Sequence, residues 1–388
     1  MTAGKLARAE GVRIAGFSWR SARPVVRGLA AGRSVLAPLA IAAASFASGV
    51  ACAQAIPDPD YDVSVAVPSY TQEHPRVVFD EAHHNFHTAG GRYRPLAELL
   101  RNDGYDIEHG TGRFESTALR GVRVLIVANA RGGEDDRDSL RPAFTPQECD
   151  VVRDWVAAGG ALLLIADHAP FGSAAADLSA RFGVEMGKGF VFDPRNSEGD
   201  PTILVFTQVN GLLGDHPIIA GRNDAERVQR IVAFTGQSLS VPKGATALMR
   251  LAPSAFEVYF NQAPTVLRAD PDAHATLNAD ARGRASVGRA QGVALEFREG
   301  RVLIMGEAAM FSAQLLRSDK PGTPNFRFGM NSPGNDDRQF ALNALHWLSG
   351  ALRGGPSRAG LATQVRTPIA ALPVVKAHKM RGGGRTRP

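Results

Sequence analysis

Two apolar runs constrain the fold of this chain more than any other feature. Val122 to Ala128 reads VRVLIVA, and Ala161 to Ala166 reads ALLLIA. Runs of this kind are expected where a strand is covered on both faces, as in a parallel sheet. Between them lies a helix signature. Thr145 is the expected cap, Pro146 takes the first helical position, and Glu148 completes a capping box. Val151, Val152, Trp155 and Val156 form its apolar face, and Gly159-Gly160 stop it. Parallel neighbours need a crossover of about this length.

The pattern recurs along the chain. Arg76 to Phe79 is expected as a strand, Tyr93 to Asn102 as a helix with Leu96, Leu99 and Leu100 inward, and Tyr105 to Glu108 as a strand. A helix is expected from about Ser173 to Arg181. Near the end, VALEF, a REG turn and RVLIMG read as a hairpin. Asp337 is then expected to cap a last helix carrying Phe340, Leu342, Leu345, Trp347 and Leu348. The fold class is α/β: a doubly wound, mainly parallel, flavodoxin-like sheet over residues 76–352. An irregular β-rich insertion is expected over about 183–290.

The two ends read differently. Residues 1–55 carry seven bases and one acid, with an apolar run from Val35 to Val50 and a small-x-small site ending at Ala55. This is the pattern of a secretory signal. It implies a mature chain starting near Ile56, periplasmic or secreted, with no transmembrane domain. Residues 56–75 are Pro-rich and expected as an extended lead-in. Residues 353–388 hold eight Lys or Arg and no acid, and read as a disordered basic tail. The whole chain is +6, so residues 56–352 carry a net −8. A nucleic-acid partner is therefore not expected. Of the two cysteines, only Cys149 lies beyond Ala55, which leaves no internal disulfide; it is expected as a packing residue.

Function is expected where strands end. In open α/β sheets, ligands bind beyond the carboxyl ends of the strands. The first strand runs into DEAHHNFHTAGG, Asp80 to Gly91, which holds three of the ten histidines. Other strand ends carry Asn129, Asp167-His168 and Glu307. Three arrangements fit these residue types. His83, His84 and His87 with Asp167 suit a divalent metal such as zinc, with Glu307 or Glu81 as general base. Without metal, His84 and Asp167 form an acid–base pair, with Asp80, Glu81, Asn85, Asn129 and His168 holding a polar ligand or sugar. Alternatively, the same groups cap helices and satisfy buried backbone. A second pair, Asp215-His216, is read as a turn.

The capped TPQE helix, GGALLLIAD, and the closing GRVLIMGEAAMF and GNDDRQFALNALHWLSG together resemble the glutamine-amidotransferase-like superfamily. The likeness spans roughly residues 76–350. It is greatest to an uncharacterised secreted branch and to auxiliary subunits of gliding-type ABC transporters. Amidotransferases of this kind place a nucleophilic Cys on the elbow after a central strand. The matching elbow here is Asp167-His168, without Cys, so amidotransferase or thiol-protease activity is not implied. The His, Asp and Glu residues at strand ends point to an exported domain that binds a polar small molecule or sugar, with metal-assisted hydrolysis as its chemistry, whereas the resemblance to transporter auxiliary subunits, the missing Cys and the basic tail point to an inactive scaffold with an envelope protein partner.

Overall fold

The computed structural model describes residues 55–135, 138–259, 282–317 and 325–352. The expected signal at 1–54 and tail at 353–388 lie outside the described residues. In chain order the strands are β1 Ile56–Pro57, β2 Arg76–Asp80, β3 Asp106–Gly110, β4 Val124–Ala128 and β5 Ala161–Ile165. There follow β6 Phe190–Phe192, β7 Ile203–Thr207, β8 Arg230–Phe234, β9 Thr246–Arg250 and β10 Phe256–Tyr259. The last are β11 Arg282–Ala285, β12 Ala290–Phe297, β13 Gly300–Met305, β14 Ala313–Leu316 and β15 Phe326–Gly329. The α-helices are α1 Arg94–Asn102, α2 Pro146–Ala157, α3 Phe171–Ala180, α4 Pro217–Ala220 and α5 Asp337–Ser349.

Among the described residues, a seven-stranded sheet runs in the order β3-β2-β4-β5-β13-β12-β9. Its first five strands pair in parallel. Relabelled in chain order, those five read 2-1-3-4-5, the flavodoxin-like winding, with the order reversing between β2 and β4. The sheet is doubly wound because its side chains alternate. Val77, Phe79, Val124, Ile126, Leu163 and Met305 face the core shared with α1 and α5. Leu125, Val127, Leu162, Leu164, Val302 and Ile304 face the core shared with α2 and α3. Truncating one of these fully buried leucines to alanine is expected to cost about 2–5 kcal/mol.

The local signals account for most elements. Thr145 and Glu148 form the reciprocal capping box. The β12–β13 hairpin pairs Phe297 with Gly300. Cys149 is buried in α2, and burial pushes its thiol up to about 11, as fits a packing residue.

Four details differ from the sequence reading. Asp336, not Asp337, is the cap position of α5; Asp336 and Asp337 accept backbone N–H groups from Arg230 and Val232 and so anchor β8. The third strand starts a residue later and runs on to Gly110, because Asp80 pairs with it. Asp215-His216 opens the short α4, with His216 accepting from the Ile218 N–H. Finally, the 183–290 stretch is not all insertion. β9 joins the main sheet by pairing antiparallel with the open edge of β12, while β7–β8 and β11-β10-β6 form small antiparallel sheets beside it.

The lead-in is fastened rather than loose. β1 pairs with β14, Tyr61 and Tyr70 pack on the core, and the Ser69 N–H donates to Asp103. No helix among the described residues is long and apolar enough to cross a membrane.

Candidate functional site

The parallel register brings the polar strand ends to one edge. Ala128 pairs with Ile165, and Ile165 with Met305. Asn129, Asp167 and Glu307 follow within two residues of those positions, so they share that edge with the loop that leaves β2 at Asp80. The β2–β4 switch point lies under that loop. Trp347 is elsewhere: it packs in the core on the α5 face and stacks over Arg301 near the start of β13.

The loop after β2 is held by its own polar groups. The Asp80 carboxylate accepts from His83 Nδ1 at 2.8 Å and from Asn85 Nδ2 at 3.0 Å. His83 Nε2 reaches the Glu148 carboxylate at 3.1 Å. Glu148 also accepts the Thr145 N–H and hydroxyl. The His83 ring packs at a tilt against Phe114 and Phe144, which stack on each other. Burial works against a charge on His83, but Asp80 and Glu148 outweigh it and raise its pKa. Burial likewise pulls Glu148 up, and the Thr145 N–H and His83 reverse this, taking it down to about 2. Both His83 nitrogens are thus engaged by carboxylates, and neither is left for a metal. Glu81 is engaged too, accepting from the Ala89 N–H at 2.9 Å and from His109 at 3.0 Å.

His84 takes a left-handed backbone at φ 49° and points to solvent, with Glu134 at 3.7 Å. It does not meet Asp167. The expected pair of His84 and Asp167, and the expected set of His83, His84, His87 and Asp167, are therefore not assembled. Among the described residues, no three His, Cys, Asp or Glu side chains converge as a metal ion requires. The chain's own residues do not fit a zinc-type centre here, because the histidines of one short loop turn to three different surroundings.

The elbow after β5 is tightly built. Asn129, at φ 50°, accepts the Asp167 N–H at 2.9 Å. Gln237 donates to the Ala166 carbonyl at 2.7 Å and the Asp167 carbonyl at 3.1 Å. Gly236 makes this approach possible: at φ +71°, an added Cβ would stand 2.5 Å from the Gly306 carbonyl oxygen. His168 stacks on Phe190 at 4.3 Å, and its ring nitrogen is 4.0 Å from the Asp167 carboxylate. The two side chains of the elbow are thus close without a hydrogen bond between them.

Asp167 keeps 14% of its side chain exposed, while Glu307 is fully buried. Glu307 accepts the Ala309 N–H at 2.7 Å and the Met310 N–H at 2.9 Å. Burial, and then the charge of Asp167, hold Glu307 well above the ordinary carboxylate range. Burial also raises Asp167, against the pull of His168 and two backbone N–H groups. No Lys or Arg among the described residues is paired with either carboxyl. Tyr93 lies beside both: it donates to the Ala308 carbonyl at 2.8 Å, and burial and the two carboxylates raise its own pKa. His87 stacks on Tyr93 at 4.5 Å. It is buried, its Nδ1 has no hydrogen-bond partner, and burial followed by the nearby Arg92 charge lowers its pKa to about 3.

Sequence reading alone missed Tyr93, Arg92, Gln237 and the second role of Glu148. Arg92 and Tyr93 directly follow the His-rich stretch, so a wider window would have included them. Gln237 lies 70 residues beyond the elbow and leaves no local signal.

No family model and no curated protein matches the chain. Among solved structures it is similar to the N-terminal domain of mmIFT52, at 15% identity over 72% of this chain and 99% of that one, with a TM-score of 0.46. It is similar to a ThuA-like protein from Bacteroides uniformis at 12% identity over 75% of this chain and 95% of that one, with a TM-score of 0.36. A cytoplasmic protein of Salmonella typhimurium is matched at 13% identity over 71% and 98%, also with a TM-score of 0.36. At such identities and scores the likeness says nothing about substrate or residue roles. The solved structures to which this α/β chain is similar thus include ThuA-like proteins.

Proposed function

We propose that the crevice at the carboxyl ends of β2, β4, β5 and β13 binds a small polar molecule, with carbohydrates the class that suits it best. Asp167 is its accessible acid–base group. One observation carries the reading: Asp167 stands partly open, with the buried Glu307 beside it and, among the described residues, no Lys or Arg paired to either. Burial moves both carboxyls in the direction that general acid–base work near neutral pH requires. In a hydrolysis, Asp167 donates its proton to the leaving oxygen, a solvent water adds to the carbon that loses it, and the proton shed by that water returns to Asp167, whose protonated form burial favours. No step needs a metal. The domain is placed outside the cytoplasm on the strength of the basic, apolar and small-residue pattern of residues 1–55.

A second reading is a binding or scaffold module of an envelope or transporter complex, with no catalysis. It draws on the bonds of Glu307, whose two oxygens are taken by backbone N–H groups, and on the absence of Cys from the elbow. Thermal-shift titration with a panel of mono- and disaccharides, alongside turnover of aryl glycosides, separates the two. The catalytic reading expects a raised melting temperature and turnover, both lost in Asp167→Asn. Binding without turnover moves the conclusion to the module. Neither binding nor turnover removes the crevice proposal. Amino-terminal sequencing of envelope material is expected to start near Ile56; an intact start retained in the membrane fraction overturns export by cleavage.

A further inference from the structure

Near the proposed crevice, among the described residues, lies a cationic group without an anion. Arg92 is half-buried at the turn that leads from the His-rich loop into α1. Its Nη1 donates to the Gln314 side chain at 3.0 Å, and its guanidinium lies 4.4 Å from the centre of the Phe86 ring. Among the described residues no carboxylate pairs with it, and its Nε and Nη2 donors have no protein acceptor. His83, in the same loop, has two carboxylates. Beside Arg92 is the buried His87, whose Nδ1 also lacks a partner. Phe86, 42% exposed, flanks His87 with the ring centres 5.2 Å apart. Two unused polar groups on adjoining side chains, one cationic, next to an exposed aromatic face are more than helix packing calls for. An unpaired buried polar group costs stability and persists where something else holds it in place.

We propose that Arg92 and His87 form an anion subsite of the crevice, which takes the carboxylate of an acidic sugar while the sugar ring lies against Phe86. This deepens the carbohydrate reading and rests on it. The guanidinium offers two free donors in the planar fork that matches a carboxylate. His87, with its proton on Nδ1, adds a third donor to the same group. The subsite keeps its charge because Gln314, a neutral acceptor, orients the guanidinium without cancelling it. Tyr93 stacks on His87 and lies beside Asp167 and Glu307, so the anion subsite adjoins the proposed acid–base group. Because burial favours the protonated forms of those two carboxyls, an anionic ligand is not repelled from the crevice.

The test uses matched pairs of probes, glucuronate with glucose and galacturonate with galactose, titrated calorimetrically into the wild-type chain, Arg92→Met, Arg92→Lys and His87→Phe. The wild type is expected to prefer the acid by about tenfold or more, with the preference weakened by added salt. In Arg92→Met the acid-to-neutral ratio falls to about one, Arg92→Lys restores part of it, and His87→Phe lowers it several-fold. Melting curves establish that each variant folds; if His87→Phe does not, the Arg92 pair decides alone. Acids and neutral sugars bound equally well, or a preference that survives Arg92→Met, overturns the anion subsite while the crevice reading stands. Acid binding lost in Arg92→Met but indifferent to Asp167→Asn keeps the subsite and overturns the role given to Asp167. If none of the four probes binds, both proposals fall.

Discussion

The crevice edge has two sides made of the same residue types, put to opposite use. On the side of β2 and α2, Asp80, His83 and Glu148 form a closed chain of bonds in which each charge faces an opposite one. On the side of β5 and β13, Asp167 and Glu307 are two carboxyls without a paired Lys or Arg among the described residues, and His87, which reaches them through Tyr93 from the loop after β2, has a buried nitrogen left unpartnered. A buried charge is tolerated when it is paired and hydrogen-bonded, and otherwise its pKa moves toward the neutral form. The first side is therefore a fastening that holds the loop after β2 to the cap of α2. The second stores polar groups in a state ready to meet a ligand. Residue type alone does not separate structure from site; the completeness of its partners does.

The largest expected effect breaks the closed side. Asp80→Ala removes one of the two carboxylates around His83 and three hydrogen bonds of the loop. It is expected to cost about 3–5 kcal/mol in urea unfolding, as for other buried pairs deprived of one partner. Its pH profile is also specific. Glu148, depressed to about 2 in the fold, contributes stability that is present above the ordinary carboxylate pKa and lost as pH falls through about 2. His83, raised in the fold, contributes stability present below its unfolded pKa and lost as pH rises through its higher folded value. The network is thus strongest in mildly acidic solution. A loss below about 1 kcal/mol, the size of an exposed pair, would dissolve the contrast between the two sides.

A smaller effect sharpens the open side. His87 is neutral in the fold, with its pKa lowered to about 3 by burial and by Arg92. Below pH 6.5 the unfolded chain binds a proton there that the folded chain refuses, so stability falls as pH falls. Between pH 6.5 and pH 5 this amounts to about 2 kcal/mol at 1.36 kcal/mol per unit. Stability curves of wild type and His87→Phe, measured over that range, are expected to diverge by that amount, the variant lacking the slope. Parallel curves mean that His87 is paired in solution.

The smallest effect concerns Asp167. Its raised pKa means that it favours the fold below its unfolded pKa and loses that contribution as pH rises through the folded value. Asp167→Asn is expected to stabilise the protein at neutral pH by on the order of 1 kcal/mol or less, and to leave it unchanged near pH 3. A destabilising effect at neutral pH would mean that the carboxylate is satisfied, and would put Asp167 with the closed side.

Much of the architecture was legible in the chain. The strands at Val124–Ala128 and Ala161–Ile165, the Thr145 cap and the closing hairpin all carry local signals: apolar period, cap chemistry and turn length. The positions of Asp80, Asn129, Asp167 and Glu307 at strand ends followed from those strands, because parallel neighbours end on one edge. The β9 edge strand was not legible. Its pairing with β12 depends on which sheet edge is open, a property of the assembled sheet.

Local pattern, then, determined the elements, their parallel winding and the edge on which polar residues gather. Only the tertiary structure decided which of those residues keep unspent bonding capacity. His83, His84 and His87 lie within five positions of one another, yet one is locked between two carboxylates, one faces solvent and one is buried beside Arg92. The reason is physical: helical and strand periods are set by neighbours along the chain, whereas a loop side chain also takes partners from elsewhere in the fold, as His83 takes Glu148 of α2 and His84 faces Glu134. Burial and pairing, which fix charge and reactivity, arise only when those elements close around it.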